Sequence, residues 1–205
     1  LPQNCARSGR QIPSALSLCG NEMNEPKHVL HPFPPLYDEN SRVLILGSFP
    51  SVKSREQKFF YGHPQNRFWR VLAAVFASET PQTMAEKRRF LLSHGIALWD
   101  VIASCEITGS ADSSIKNVVA NDLSPILTAA DIRQIFVNGK TAEKYYRKYT
   151  EAATGRAAVC LPSTSPANAA WSMERLIAAW RSVRDAAQER DAQLAKLDAE
   201  QLEDI

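Results

Sequence analysis

The sequence predicts one α/β domain built on a mainly parallel sheet, and three observations carry that prediction. Short continuous apolar runs at Val43–Leu46, Ile96–Ile102, Ile132–Val137 and Ala157–Leu161 read as strands, the first of them plainly one covered on both faces. Helical patterns alternate with these runs, as expected for parallel strands joined by helical crossovers. Each run is followed by polar or glycine-bearing residues: Gly47-Ser48-Phe49-Pro50, Asp100, Asn138-Gly139, and Pro162-Ser163-Thr164-Ser165. Ligands of such sheets bind beyond the carboxyl ends of the strands, so these four places are expected to converge.

The elements follow in chain order. Residues 1–28 mix Ser, Asn, Gln and Pro with isolated apolar residues and no period, and are expected to form a poorly ordered leader. His31-Pro-Phe-Pro-Pro35 is rigid extended chain, and Tyr37 to Asn40 a turn. The spacing of Phe68, Trp69, Leu72, Val75 and Phe76 predicts an amphipathic helix. Thr83 and Glu86 form a capping box for the next helix, which ends near Ser93-His94 with Gly95 beyond it. Ser104 to Asp122 is long and polar, and is expected to be a functional loop. Ser124-Pro125 opens a short helix, and Thr141 to Tyr149 forms another. A last helix carries Met173, Leu176, Ile177 and Trp180 on one face. The domain is thus expected over residues 29–181, with 182–205 an Ala- and charge-rich tail, helical or frayed.

Composition narrows the function classes. The 205 residues are 44% hydrophobic, enough for a full core. Net charge is only +2, but residues 181–205 carry −3, leaving +5 for the rest. From Arg42 to Arg70 there are six Lys/Arg against one acid, Glu56, with aromatics and amides among them. That mixture suits a negatively charged, flat-ringed ligand. Of the four cysteines, Cys105 and Cys160 sit in apolar runs and suit a reducing compartment. Cys5, Cys19, His28 and His31 match no compact zinc spacing. Residues 1–28 lack the apolar core of a signal peptide, and no run approaches a membrane span, so an intracellular, cytoplasmic protein is expected. No phosphate-binding Walker loop, dinucleotide fingerprint or hydrolase nucleophile elbow is present.

Several residues then carry two readings each. Asn66, at a helix start, is either an N-cap or an amide that positions a water or leaving group. Tyr61 either packs in the core or stacks on a base; its neighbours Lys53, Arg55, Lys58 and Arg67 favour stacking, which contributes about 1–3 kcal/mol per base. His63 is a structural or phosphate-contacting residue, or a general acid. Asp100 is a helix cap, a partner of Lys116, or a reader of a base edge. Ser163, Thr164 and Ser165, held between prolines, are either a capping turn or a phosphodiester contact. The residues alone lead to an α/β protein that binds nucleic acid or nucleotide.

The ordered set GSFPSVKS, FFYGHPQNRFW, LWDVIASCE, VNGKTA and LPSTSPANA resembles the uracil-DNA glycosylase superfamily, and within it the hypoxanthine-DNA (deoxyinosine) glycosylase branch. HPQNRFW also resembles the branch acting on mismatched uracil and thymine. The resemblance spans about Pro32 to Trp180. It implies a four-stranded parallel sheet flanked by helices, with DNA across the strand-end loops and a flipped base between them. On this resemblance Asn66 is the catalytic residue, and Gly47, Ser48, Phe49, Tyr61, Asp100 and Asn138 line the base pocket. Ser51, Lys53, Lys140, Ser163, Thr164, Ser165 and Asn168 are implied DNA contacts. Two positions depart from the wider superfamily. Phe49 stands where most branches have a water-activating Asp or Asn, and Leu161 where the uracil branch has a His that steadies the departing base. No metal or redox cofactor is implied. The expectation is a monomeric, monofunctional DNA repair glycosylase that leaves an abasic site, chiefly after hypoxanthine. A uracil- or mismatch-directed enzyme and a non-catalytic DNA-binding module are the alternatives.

Overall fold

A computed structural model describes residues 27–203 apart from residue 110, with side chains as far as residue 189. The strands are β1 (Lys27–Leu30), β2 (Val43–Gly47), β3 (Ile96–Asp100), β4 (Ile102–Ile107), β5 (Lys116–Ala120), β6 (Gln134–Asn138) and β7 (Ala158–Leu161). The helices are α1 (Val52–Gln57), α2 (Phe68–Val75), α3 (Met84–Ser93), α4 (Ser124–Ala129), α5 (Lys140–Tyr149), α6 (Glu151–Thr154) and α7 (Met173–Glu203). The main sheet is four-stranded and parallel in the order β3-β2-β6-β7. A smaller antiparallel sheet has the order β1-β4-β5.

β2 explains why its sequence has no polar alternation: all five of its residues are buried. Successive side chains point to opposite faces. Val43 and Ile45 therefore join α2, α3 and α7 in one core, around Phe68, Leu72 and Trp180. Leu44 and Leu46 join α4, α5 and the small sheet in the other, around Ile102, Ile126 and Tyr146. The capping box on α3 forms as its sequence predicts, with Thr83 and Glu86 each accepting the other's backbone N–H.

The stretch from Ser104 to Asp122 is not a loop. It completes β4, makes one turn of 3-10 helix at Asp112–Ser114, and returns as β5. β5 is short and largely exposed, so it shows little apolar patterning for a sequence reading to detect. β1 begins at Lys27, two residues inside the stretch read as leader, and pairs with β4. Residues 1–26, with Cys5 and Cys19, lie outside the described residues. At the other end, α7 runs unbroken past residue 181. Val183 and Ala187 are buried in the first core, so the domain extends beyond the boundary expected at 181. Among the described residues, no helix is long and apolar enough to cross a membrane.

Val183 tests where the domain ends. Replacing it with Asp should bury an unpaired carboxylate and cost about 3–5 kcal/mol, read as a lower urea midpoint. A tail that merely frays would leave the midpoint unchanged.

Candidate active site

Parallel register brings the strand ends together. Gly47 lies opposite Asp100, Leu46 opposite Val137, and Asn138 opposite Leu161. The four polar places therefore meet at one edge of the sheet, as their positions predict. They line a cavity of about 660 Å³, which Tyr61, His63 and Asn66 also reach. That volume lies in the ordinary range for a small-molecule pocket.

Gly47 forms the cavity floor. A Cβ there would lie 2.2 Å from Asp100 Oδ1 and 3.2 Å from the Tyr61 hydroxyl, so the close approach needs glycine. Asp100 is buried at 5% exposure. Lys116 is not its partner, being exposed on β5 opposite Glu106. Instead Asp100 Oδ2 lies 2.8 Å from Nε2 of His31. His31 reaches it because the extended Pro-rich segment crosses between the two sheets. The His31 N–H bonds to Ala103 O, and Leu36 exchanges backbone hydrogen bonds with Leu98 of β3.

Asn138 ties the floor to the opposite wall. Its Oδ1 accepts the Thr164 N–H at 3.1 Å, which fixes the orientation of the amide. Its Nδ2 then donates to the Tyr61 hydroxyl at 3.0 Å and to Thr164 Oγ1 at 2.9 Å. Tyr61 takes a left-handed backbone with φ of 50° and lays its ring on Phe68, centroids 3.8 Å apart. Burial, and secondarily the Asp100 charge, push its phenol far above the ordinary value, so it stays protonated. Because the hydroxyl accepts from Asn138, its own proton remains available to donate.

Asn66 is not the N-cap of α2; that place is taken by Arg67, which makes no side-chain cap bond. From one residue earlier, Asn66 Oδ1 accepts the Phe68 N–H at 3.0 Å and so caps the first backbone donor of the helix, and the residue lines the cavity. The cap fixes the amide: the oxygen keeps one further lone pair, and both amide hydrogens remain. His63 lines the cavity too, but its Nδ1 accepts the Gln65 N–H, so it also shapes the turn.

The basic residues of the opening stretch divide into two kinds. Arg67 is turned inward and donates to the carbonyls of Ser165, Asn168 and Trp171. Arg55 likewise holds Pro50 O and Gly109 O. Both shape loops, which corrects the reading of them as surroundings for a stacked base. Lys53 is exposed and paired with Glu56. Ser51 caps α1 and lines the cavity. Ser163 and Ser165 line the cavity as well, with Ser163 Oγ accepting the Ser165 N–H. Thr164, expected as a DNA contact, is fully buried, and its hydroxyl serves Asn138. Asn168 holds the same loop by donating to Ser163 O. Lys140 is exposed at the start of α5, paired with Glu143, and borders a second cavity behind this loop.

Phe49 is buried at 8% and carries no polar function. Its ring lies 6.2 Å from that of His31, with the Arg55 guanidinium over its other neighbourhood at 5.8 Å. The residues that sequence reasoning missed are His31, 69 positions from Asp100, and Asp112, which lines the cavity and takes hydrogen bonds from Thr141 and Ser48. A single His before a proline gives no signal of such a partner. Among the described residues, no group of His, Cys, Asp and Glu forms a metal cluster.

Comparison with known proteins agrees with this fold. Residues 34–184 match the model of the uracil DNA glycosylase superfamily. A protein of Methanosarcina acetivorans named hypoxanthine DNA glycosylase is 36% identical over 145 residues, covering 70% of this chain and 90% of that one. A protein of the same name from Methanosarcina barkeri is 35% identical over 115 residues, covering 55% of this chain and 73% of its own. A solution NMR structure from Methanosarcina acetivorans, described as a candidate uracil DNA glycosylase, superposes with a TM-score of 0.66 at 33% identity. That match covers 76% of this chain and 96% of the other.

Arg67 provides a test of how the wall is held. A lysine cannot span three carbonyls. Arg67→Lys should therefore speed amide hydrogen exchange across residues 165–171 and leave β2 and β6 unchanged. Equal exchange in both proteins would show that the loop is held otherwise.

Proposed function

From the premise that the chain belongs to the uracil DNA glycosylase superfamily, we propose that it removes deaminated bases from DNA, chiefly hypoxanthine. The observation that carries this reading is the meeting of Gly47, Asp100 and Asn138 with Tyr61 and Asn66 on one cavity large enough to admit a base. The names of the two Methanosarcina relatives support hypoxanthine as the principal target.

The reaction hydrolyses the N-glycosidic bond of a nucleotide flipped out of the duplex. As the bond breaks, positive charge grows on the sugar and negative charge on the base. Asn66 has no charge with which to deprotonate water strongly. Its capped, oriented amide instead holds a water against the developing cation, so its contribution is positioning. Backbone N–H groups of the Gly47–Ser51 loop face the charge that develops on the base. Tyr61 supplies a ring face and a hydroxyl proton, and Asp100 an acceptor for the base edge. Leu161 is buried and apolar, so no imidazole steadies the leaving group there. Lys53 and Lys140 are exposed and ion-paired, which supports water rather than an amine as nucleophile and an abasic site as product. Ser51, Ser163 and Ser165 line the cavity, which supports them as phosphodiester contacts, and the protein acts as a monomer on this reading.

The test is a panel of duplexes carrying one inosine, uracil or xanthine. Inosine should be cleaved fastest; cleavage of uracil alone would sink the hypoxanthine reading. Asn66→Ala should lower single-turnover cleavage by roughly 10²–10⁴-fold, with duplex affinity nearly unchanged. DNA binding without cleavage of any base by the wild-type chain would instead mark a non-catalytic module. Loss of folding in Asn66→Ala would mark the cap as its main role.

A further inference from the structure

We propose that His31 is a positioning residue that holds Asp100 with an unprotonated oxygen toward the base cavity, so that the pocket takes bases presenting a ring N–H beside a carbonyl. The inference rests on the base-excising reading of the same cavity and adds a residue and a selection rule to it.

Counting protons fixes the sense of the pair. His31 Nδ1 lies 2.8 Å from Phe33 O, and a carbonyl only accepts, so Nδ1 carries hydrogen. Nε2 lies 2.8 Å from Asp100 Oδ2, a contact that needs one proton between the two atoms. That proton rests on nitrogen or on Oδ2. In either case Oδ2 is committed to His31, and Oδ1 carries no hydrogen. Oδ1 is the atom that lies over Gly47, on the cavity floor. The pocket thus presents a bare acceptor there.

The surroundings hold this arrangement rigidly. Side-chain exposure is 4% for His31 and 7% for Asp100. The imidazole is boxed by Phe33, Phe49 and Trp99, with centroids 4.5, 6.2 and 6.2 Å away. Asp100 O is itself fixed by the Asn121 amide at 2.8 Å. Without His31 the carboxyl loses the partner that commits Oδ2, so neither its rotamer nor the oxygen that faces the base is fixed.

A bare acceptor separates deaminated bases from two of their parents. Adenine has an unprotonated ring nitrogen where hypoxanthine has N1–H, and cytosine lacks the N3–H of uracil. Facing Oδ1, the parent bases set lone pair against lone pair, whereas the deaminated bases donate. Guanine already carries N1–H, so this oxygen does not reject it; its 2-amino group must be excluded by another part of the pocket.

Binding can be read without turnover in the full chain carrying Asn66→Ala. The ratio of affinities for inosine over adenine duplexes should fall about 10- to 100-fold on His31→Phe, the range for losing a hydrogen bond to a charged group. His31→Gln, which keeps a donor for Asp100, should restore most of it. Affinity for a duplex with an abasic analogue, which offers no base edge, should stay within about twofold. An unchanged ratio in His31→Phe overturns the inference, as does an equal loss on the abasic duplex. If His31→Phe fails to fold, His31→Asn, too short to reach Asp100, takes its place beside His31→Gln. A second readout is the imidazole ¹⁵N spectrum of the wild-type chain: hydrogen on Nδ1 of His31 is expected, and its absence overturns the proton count. Failure of the wild-type chain to cleave inosine duplexes would defeat the glycosylase reading separately, because neither the affinity ratio nor the spectrum requires cleavage.

Discussion

The missing side chain at Gly47 is the constraint on which the site depends. In a parallel sheet, facing residues of adjacent strands point to the same side, and Gly47 faces Asp100. Any Cβ at that position would occupy the place of Asp100 Oδ1. Glycine lets the carboxyl fold over the neighbouring strand end and lets the Tyr61 hydroxyl approach the same point. Two polar groups from distant segments thereby meet on a floor made of backbone.

A floor of this kind is useful only if the walls are fixed, and hydrogen bonds fix them. Asn138 uses its whole amide on Thr164 and Tyr61, so the strand end of β6 sets both the far loop and the stacking ring. Arg67 then closes the other end of that loop onto the segment that carries Asn66. A guanidinium suits this task because its planar fork can reach several carbonyls at once. Asn66 is held between this clamp and its own cap, which leaves little freedom in the direction of its amide. Positioning of a water by an uncharged group requires that rigidity, since the group contributes geometry and no strong basicity.

The extent to which this was legible in the sequence follows the range of the interactions. β2 could be read from Val43–Leu46 because burial on both faces leaves a local apolar signature. The α3 capping box could be read because both partners lie within three residues. β5 could not, since Lys116–Ala120 is mostly exposed and owes its strand form to pairing with β4. Val183 and Ala187 looked like part of a solvated tail because charged neighbours dilute the helical stripe that buries them. At the site, residues announced by motifs, such as Asn66 and Tyr61, line the cavity. Arg55 and Arg67 were misread because composition counts a guanidinium as surface charge, whereas their carbonyl partners lie up to 104 positions away. His31 gave no local sign, for its chemistry arises only when a Pro-rich segment crosses to β3.

Phe49 and His31 are best understood together. Position 49 of this chain holds an aromatic ring that is nearly buried. That ring stands edge-on to His31 and helps exclude water from the imidazole. Solvent exclusion strengthens the short His31–Asp100 contact, since the pair then works in a lower dielectric than it would at the surface. On the proposed reading, an aromatic ring at position 49 has two consequences. It leaves water positioning to Asn66, on a different element, and it helps provide the dry surroundings in which Asp100 keeps one defined hydrogen-bonding sense. That reading divides water handling and base reading between two walls of the same cavity.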